Sequence, residues 1–251
     1  MPIIQSVDRA LRILDLFNEQ NPELKITEIS RKLDLHKSTT HSLLKTLKER
    51  QYIKQDPDSG KYSLGLKLLE RGQFVLNSMD IRSLARKYLI DLSVETGQTA
   101  HLVILEGKYG VYIDKVEGES AVVYSRVGKR VPLHSSAVGK SLLAFRNNDE
   151  VNELLEKYEF FPQTSSTITS RSAFEKELEL VRERGYSTDN EENEPGIYCI
   201  AVPIFDHLNQ PAAAISISTT KQTITEEMEK NIVQQLKHTC YEISKALGNM
   251  S

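Results

Sequence analysis

The spacing of apolar positions changes character several times along the chain. From Ser6 to Phe17 they recur at Val7, Leu11 and Leu14, with Ile13 or Phe17 beside them. That is the period of an amphipathic helix, with Ser6 placed to cap it. After a loop through Pro22, two short helical patterns follow. In the first, Thr27 can cap, and Ile29 and Leu33 lie four apart on one face. Asp34-Leu35-His36 breaks the pattern, and the second helix carries a stripe of Leu43, Leu44 and Leu47. Its first turn, Lys37-Ser38-Thr39-Thr40-His41-Ser42, holds no large apolar side chain. Two short alternating segments, Gln51–Lys54 and Lys61–Leu64, then flank Asp56-Pro57-Asp58-Ser59-Gly60, the pattern of a hairpin. Helix, turn, helix and hairpin in that order predict a mainly α winged helix-turn-helix over residues 1–65.

Beyond it, Gly65 to Met79 reads as a linker helix despite Gly72. A further helix runs from Asp80 to Thr96 and stops at Gly97. From Gln98 the period becomes two. Gln98–Leu105, Tyr109–Val116 and Ala121–Val127 read as consecutive antiparallel strands, turned at Gly107 and Gly118. A helix that begins with small residues covers Ser135–Ala144, and short helices cover Asp149–Tyr158 and Ser172–Arg184. Strands at Cys199–Phe205 and Ala212–Thr219 are joined by Asp206–Pro211, and a long helix spans Thr225–Leu247. Residues 80–251 therefore read as an α+β domain with an antiparallel sheet.

Charge sharpens the reading of the head. Leu24 to Lys54 carries eight lysines and arginines against three acids, a local +5 inside a chain of formal net charge −3. Residues 1–65 hold net +2, so the remainder holds −5. Phosphate binding needs a local basic surface rather than a basic protein. A helix anchored at its tail by leucines and tipped with hydroxyls and cations suits the major groove of double-stranded DNA, since hydroxyls can meet base edges and phosphates. The candidate contacts are Lys37, Ser38, Thr39, Thr40, His41, Ser42 and Lys45 on that helix, Thr27 on the preceding one, and Lys54 and Lys61 on the hairpin. Recognition of a two-fold DNA site would imply a two-fold protein, with part of the first helix available as a dimer contact.

Composition closes off other classes. At 251 residues, 27% charged and 39% apolar, the chain reads as a soluble globular protein of one or two domains. No apolar run approaches the roughly 18 residues of a membrane span, and no leader pattern is visible, so the cytoplasm is expected. The two cysteines, Cys199 and Cys240, form neither a disulfide framework nor a zinc pair. His134 beside Ser135-Ser136 invites a Ser/His catalytic reading, but no G-x-S-x-G elbow occurs and spacing places no third group. A metal held by His101, His134, Glu106 or Asp114 lacks ligand spacing. No metal, cofactor or enzymatic activity is expected. Two alternatives stay open: chemistry in the C-terminal domain with the head as an interaction module, and a redox regulator using Cys199.

Several segments carry a family likeness. Gly185, Asp189, Glu192, Cys199-Ile200-Ala201 and Ile204-Phe205-Asp206 stand at the spacing of the signature of IclR-type bacterial transcriptional regulators. Pro132 to Lys140, Arg182 to Tyr186, Ala214 to Ser218, Ser6 to Leu11 and Tyr62 to Gly65 are also family-like. The chain thus resembles that family over essentially its whole length. The resemblance implies a winged-helix domain, a linker helix at 66–79 and a GAF-like effector domain. It also implies homodimers or dimers of dimers on a palindromic operator of a catabolic operon, released as a repressor when a small organic or sugar acid binds. Many members carry arginine where this chain has Ser42, which shifts the contact burden to Lys37 through His41. The implied effector pocket is lined by Ser136, Ala137, Val138, Asp189, Cys199, Ser216 and Ser218. The chemistry is consistent: small residues before Gly139 leave room for a carboxylate at a helix N-terminus. Ser216 and Ser218 alternate with Ile215 and Ile217, so both hydroxyls share one strand face, toward a ligand or toward water. Asp189 is placed either to bond ligand hydroxyls or to cap the loop before Glu192.

Overall fold

The computed structural model describes residues 3–77, 80–119 and 125–249. The chain divides into two compact units, Met1–Ser78 and Met79–Ser251.

In the first unit, α1 (Gln5–Asp15), α2 (Ile26–Lys32) and α3 (Lys37–Glu49) precede a hairpin of β1 (Ile53–Gln55) and β2 (Tyr62–Leu64), followed by α4 (Leu66–Asn77). Ile13, Phe17, Leu24, Ile29, Leu33, Leu44, Ile53 and Tyr62 meet in one core. Thus every element before α4 contributes to it, and the hairpin is packed rather than merely appended. Neither expected cap is used. Ser6 lies inside α1, whose N-cap is Ile4, and Thr27 lies inside α2, whose N-cap is Lys25. In α2 the Glu28 carboxylate reaches back and accepts the Lys25 N–H at 2.7 Å. The turn between α2 and α3 puts Asp34 in left-handed backbone (φ 52°), which short polar side chains tolerate. Gly65 is required by contact: a Cβ there would overlap the Gln51 carbonyl, while its own N–H bonds Tyr52 O at 2.8 Å.

In the second unit, α5 (Asp80–Thr96) leads into β3 (Thr99–Glu106) and β4 (Tyr109–Val116). Then come β5 (Arg130–Pro132), α6 (Ala137–Ala144), α7 (Asn148–Leu155) and α8 (Arg171–Arg184). β6 (Ser187–Asn190), β7 (Ile197–Phe205), β8 (Pro211–Thr220) and α9 (Glu226–Ala246) complete it. The strands form one antiparallel sheet in the order β5-β4-β3-β8-β7-β6. α6 and α8 share a core with Val103, Ala201 and Ala214, on the sheet face that also carries Ser216 and Ser218. Against β7, the buried Cys240 of α9 donates its thiol to Val202 O. Helix ends follow residue chemistry: Asn147, Ser170 and Thr225 cap α7, α8 and α9, and Gly185 ends α8 at φ 74°.

Two sheet expectations are corrected. Of the strand expected over 121–127, residues 121–124 lie outside the described residues, and Ser125 to Val127 are not in a strand. The neighbour of β4 is instead β5, paired through Tyr109–Pro132, Gly110–Val131 and Val111–Arg130. β6 was not expected at all; it pairs with β7 and places Asp189 opposite Cys199.

Candidate DNA-reading surface and effector cavity

On α3, Lys37, Ser38, His41, Ser42 and Lys45 are exposed, as are Thr46, Lys48 and Glu49 toward its C-terminal end; the first five concern the groove. Their spacing of one, three, one and three follows a single stripe of the helix. Thr39 is half-buried at its margin. Thr40 departs from expectation: it is fully buried, and its hydroxyl donates to His36 O at 3.2 Å. It falls one turn before Leu44, so it belongs to the core side of the helix and cannot reach a groove. Ser42 donates its hydroxyl to Ser38 O at 3.2 Å, which leaves its lone pairs as acceptors. His36, the N-cap residue of α3, makes no side-chain cap bond, so the first-turn N–H groups are left for an external acceptor. Thr27 and Lys54 are exposed; Lys61 is half-buried and lies 3.7 Å from Glu23. Lys48 donates to Gln55 Oε1 at 3.0 Å, and Gln55 donates to Gly60 O at 3.2 Å. These bonds tie the tail of α3 to the hairpin, so the helix and its wing are presented together.

In the second unit a cavity of about 210 Å³ lies between α6 and the sheet. All seven residues named from the sequence line it: Ser136, Ala137 and Val138 at the start of α6, Asp189 on β6, Cys199 on β7, and Ser216 and Ser218 on β8. Strand register assembles the floor, because Asp189, Cys199 and Ser218 are cross-strand neighbours, as are Ala201, Ser216 and His101. Ser136 is itself the N-cap of α6. Its Oγ accepts Gly139 N–H at 3.1 Å and donates to Pro132 O at 2.6 Å, so it shapes the wall through backbone.

Of the two roles that its sequence position suggested, Asp189 performs the capping one, and it also lines the cavity. Its Oδ1 accepts the N–H groups of Glu192 at 2.7 Å and Asn193 at 3.2 Å, while its side chain faces the cavity. Burial outweighs those bonds and pushes its carboxyl up to about 7, with the neighbouring Glu192 charge adding to the rise. Burial also holds the Cys199 thiol well above its ordinary range, with Asp189 adding to the rise, and its Sγ lies 3.1 Å from Ser218 Oγ. A thiol held protonated is a poor nucleophile, which weighs against the redox alternative.

Sequence reasoning missed a second set of lining residues, among them His101, Tyr112, Ser125, Lys129, Arg130 and Glu194. Burial pushes His101 down to about 3, so the ring is neutral; its Nε2 lies 2.6 Å from Ser125 Oγ and its Nδ1 3.5 Å from Ser218 Oγ. The available signal was alternation, which puts His101 on the same face of β3 as Thr99. Lys129 and Arg130 supply cations, and Asp189 and Glu194 supply carboxyls, to one small polar space.

The catalytic and metal readings find no assembly. His134 spends Nδ1 on Tyr158 Oη at 2.9 Å and Nε2 on Phe161 O at 3.0 Å, while Ser135 donates to Asn193 Oδ1 at 3.1 Å. Asp114 is committed to Arg86 at 2.6 Å and Arg82 at 3.6 Å. Among the described residues no His/Cys/Asp/Glu cluster could hold a metal, and no helix is long and apolar enough to cross a membrane.

The same two-part organisation is found in known proteins. Family models for the IclR helix-turn-helix domain and for the bacterial transcriptional regulator IclR C-terminal region match residues 6–57 and 73–245. HTH-type transcriptional regulator XynR of Escherichia coli (strain K12) is 51% identical over 249 residues, 99% of each chain. HTH-type transcriptional regulator KdgR of the same organism is 40% identical over 246 residues, 98% of this chain and 93% of that one. The crystal structure of Thermotoga maritima IclR matches with a TM-score of 0.80 at 41% identity, covering 97% of this chain and 99% of that chain.

Proposed function

The chain belongs to the IclR family of bacterial transcriptional regulators, and from that premise we propose how this member works: as a repressor of a catabolic operon that leaves its operator when a small organic or sugar acid occupies the cavity. The observation that carries the effector half is convergence. Segments near 101, 130, 137, 189, 199 and 217 bring cations, carboxyls and hydroxyls into one partly enclosed space of about 210 Å³. A hydroxylated carboxylate matches that lining, with its anionic end toward Lys129, Arg130 and the α6 N-terminus and its hydroxyls toward Asp189, His101 and the serines.

For the DNA half, residues 1–65 act as the reading head, 66–79 as a linker helix and 80–251 as the effector domain. Lys37, Ser38, Thr39, His41, Ser42 and Lys45 face the groove, with Thr27, Lys54 and Lys61 toward phosphate. Two heads on an inverted repeat require a homodimer, alone or paired into a dimer of dimers. What supports this is exposed apolar surface among the described residues: Val7 and Leu11 on α1, and Leu66, Leu69 and Phe74 on α4.

A thermal-shift screen of the full chain against small carboxylic acids, with and without hydroxyls, tests the reading. A ligand at a hundred times its Kd should stabilise the protein by about 2.7 kcal/mol, and the same ligand should release operator DNA. If acids that stabilise the protein leave operator affinity unchanged, the cavity does not regulate the head. If none stabilises it, the ligand class is wrong.

A further inference from the structure

Lys140 does not line the cavity, yet it is among the largest fully buried side chains of the described residues, 1% exposed on the wholly buried helix α6. Its ammonium donates to Thr188 O at 2.9 Å and to Glu192 Oε1 at 2.6 Å, and lies 3.6 Å from Glu177 Oε1. Glu177 is in turn paired with Arg184 at 2.7 Å. Thr188 immediately precedes Asp189, and the Glu192 N–H is the shorter of the two bonds to Asp189 Oδ1. The ammonium therefore stands one bonded step behind the cavity's carboxyl. It grips both ends of the turn that presents it.

A buried ion pair is a costly way to hold a turn, and a methionine would fill the same length without desolvating a charge. The pair is not fully satisfied either, because Glu192 Oε2 has no hydrogen-bond partner among the described residues. We propose that Lys140 is a positioning residue of the effector cavity: from behind the wall it fixes the turn carrying Asp189 and sets, against Glu192, the electrostatic balance under which Asp189 meets a ligand. Its significance rests on the effector reading, but its test does not need a ligand.

Around Asp189 stand Lys140 from α6, Glu192 from its own turn, Cys199 from β7 and Tyr112 from β4, while His101 of β3, Lys129 and Arg130 at the start of β5, and Glu194 line the same cavity. Of these, Glu192 raises the Asp189 carboxyl and Lys140 lowers it. The full chain is melted from about pH 5 to about pH 9 as wild type, Lys140→Met and Glu192→Gln, each with and without Asp189→Asn. The difference within each pair isolates Asp189. In wild type that difference falls with rising pH and levels off near 7, where the folded carboxyl has ionised. Both single substitutions break the same ion pair, so a purely structural role would lower both melting temperatures and leave the levelling point where it was. The proposal expects movement in opposite directions, up by about one pH unit for Lys140→Met and down by about one for Glu192→Gln. No movement, or movement in the same direction, overturns it. If Lys140→Met does not fold, the Glu192→Gln pair decides by its downward shift or the lack of one. A cavity that binds no acid would overturn the effector reading and leave this outcome standing.

Discussion

Lys37 offers the sharpest test of the DNA head. It is the first residue of α3, exposed, and has no ion-pair partner among the described residues. Lys61, on the hairpin, is 3.7 Å from Glu23, so part of its charge is already answered. Each phosphate neutralised on B-DNA contributes about 0.9 to the slope of log affinity against log salt. A two-headed protein carries Lys37 twice, so Lys37→Ala should flatten the slope by about 1.8. Between about 50 and 200 mM salt, a span of about 0.6 in log salt, that is roughly one decade of affinity: the variant's salt-induced loss should be about tenfold smaller than wild type's. Lys61→Ala should change the slope by clearly less, because Glu23 already answers part of its charge and Lys61 neutralises less than a full phosphate. Fluorescence anisotropy on a duplex selected from a random pool, titrated at four or more salt concentrations, reads both slopes. An unchanged slope for Lys37→Ala removes it from the phosphate contacts. A Lys61→Ala effect as large as that of Lys37→Ala refutes the argument from ion pairing.

Four further outcomes follow from the same geometry. Ser38→Ala should relax base preference at one position of each half-site by about 1–3 kcal/mol, measured by competition among single-base operator variants; equal weakening on specific and random DNA would show that Ser38 reads no base. At Gly139 an added Cβ would stand 2.5 Å from Leu133 Cα and 2.7 Å from its carbonyl carbon, so Gly139→Ala should destabilise the C-terminal unit by about 1–3 kcal/mol in a denaturant titration and displace the cavity wall. Asp189 binds its proton more tightly folded than unfolded, so its stabilising contribution is complete below about pH 4 and is lost by about pH 7; at about 1.4 kcal/mol per pH unit the total is roughly 4 kcal/mol, and Asp189→Asn should abolish that dependence. Cys199→Ser should preserve operator release in cells under oxidant, and a loss of release would revive the redox alternative.

The sequence disclosed elements whose side chains alternate between core and surface, and obscured those whose side chains do not. β4 and the boundary of α5 at Gly97 stand where the pattern placed them, because Tyr109–Val116 alternates and Gly97 adopts φ +66°. β6 was invisible because Ser-Thr-Asp-Asn contains nothing apolar; the strand exists through its ladder with β7 and through the bond from Lys140 to Thr188 O. The three residues of β5, ending in proline, are too short to show a period, so the more regular stretch at 121–127 drew the assignment instead. Thr40 was misplaced by its chemistry: a hydroxyl suggests a surface, yet its step of four to Leu44 was available and would have turned it inward. The caps failed differently. Ser6 and Thr27 have good capping side chains, but burial of Ile13 and Ile29 sets where the helices sit, and the chain enters them at Ile4 and Lys25. In the cavity, the residues found were those on the recognised segments. His101, Tyr112 and Arg130 arrive from strands that only tertiary pairing brings alongside.

The way the cavity is held bears on how a ligand could act. A ligand shifts a two-state regulator only to the extent that it binds the two states unequally. The Asp189 turn is fixed from three sides. Lys140 holds Thr188 and Glu192, the hydroxyls of Thr164 and Thr167 hold the carbonyls of Glu191 and Glu192 at 2.6 Å each, and Asp189 holds two N–H groups of its own turn. Were the cavity to bind an effector as proposed, a wall so constrained would present nearly the same face in either state and would choose the ligand rather than respond to it. The opposite wall is built otherwise. β5 is a three-residue edge strand, paired on one side only among the described residues, and Arg130 stands exposed with its guanidinium 5.6 Å from the Tyr109 ring. On the reading proposed above, it is this strand, with Lys129 and Arg130, that would follow a bound carboxylate. On that reading selection and response would be divided between the acidic wall and the edge strand that carries the cations, and the differential affinity that regulation requires is to be sought on the β5 side.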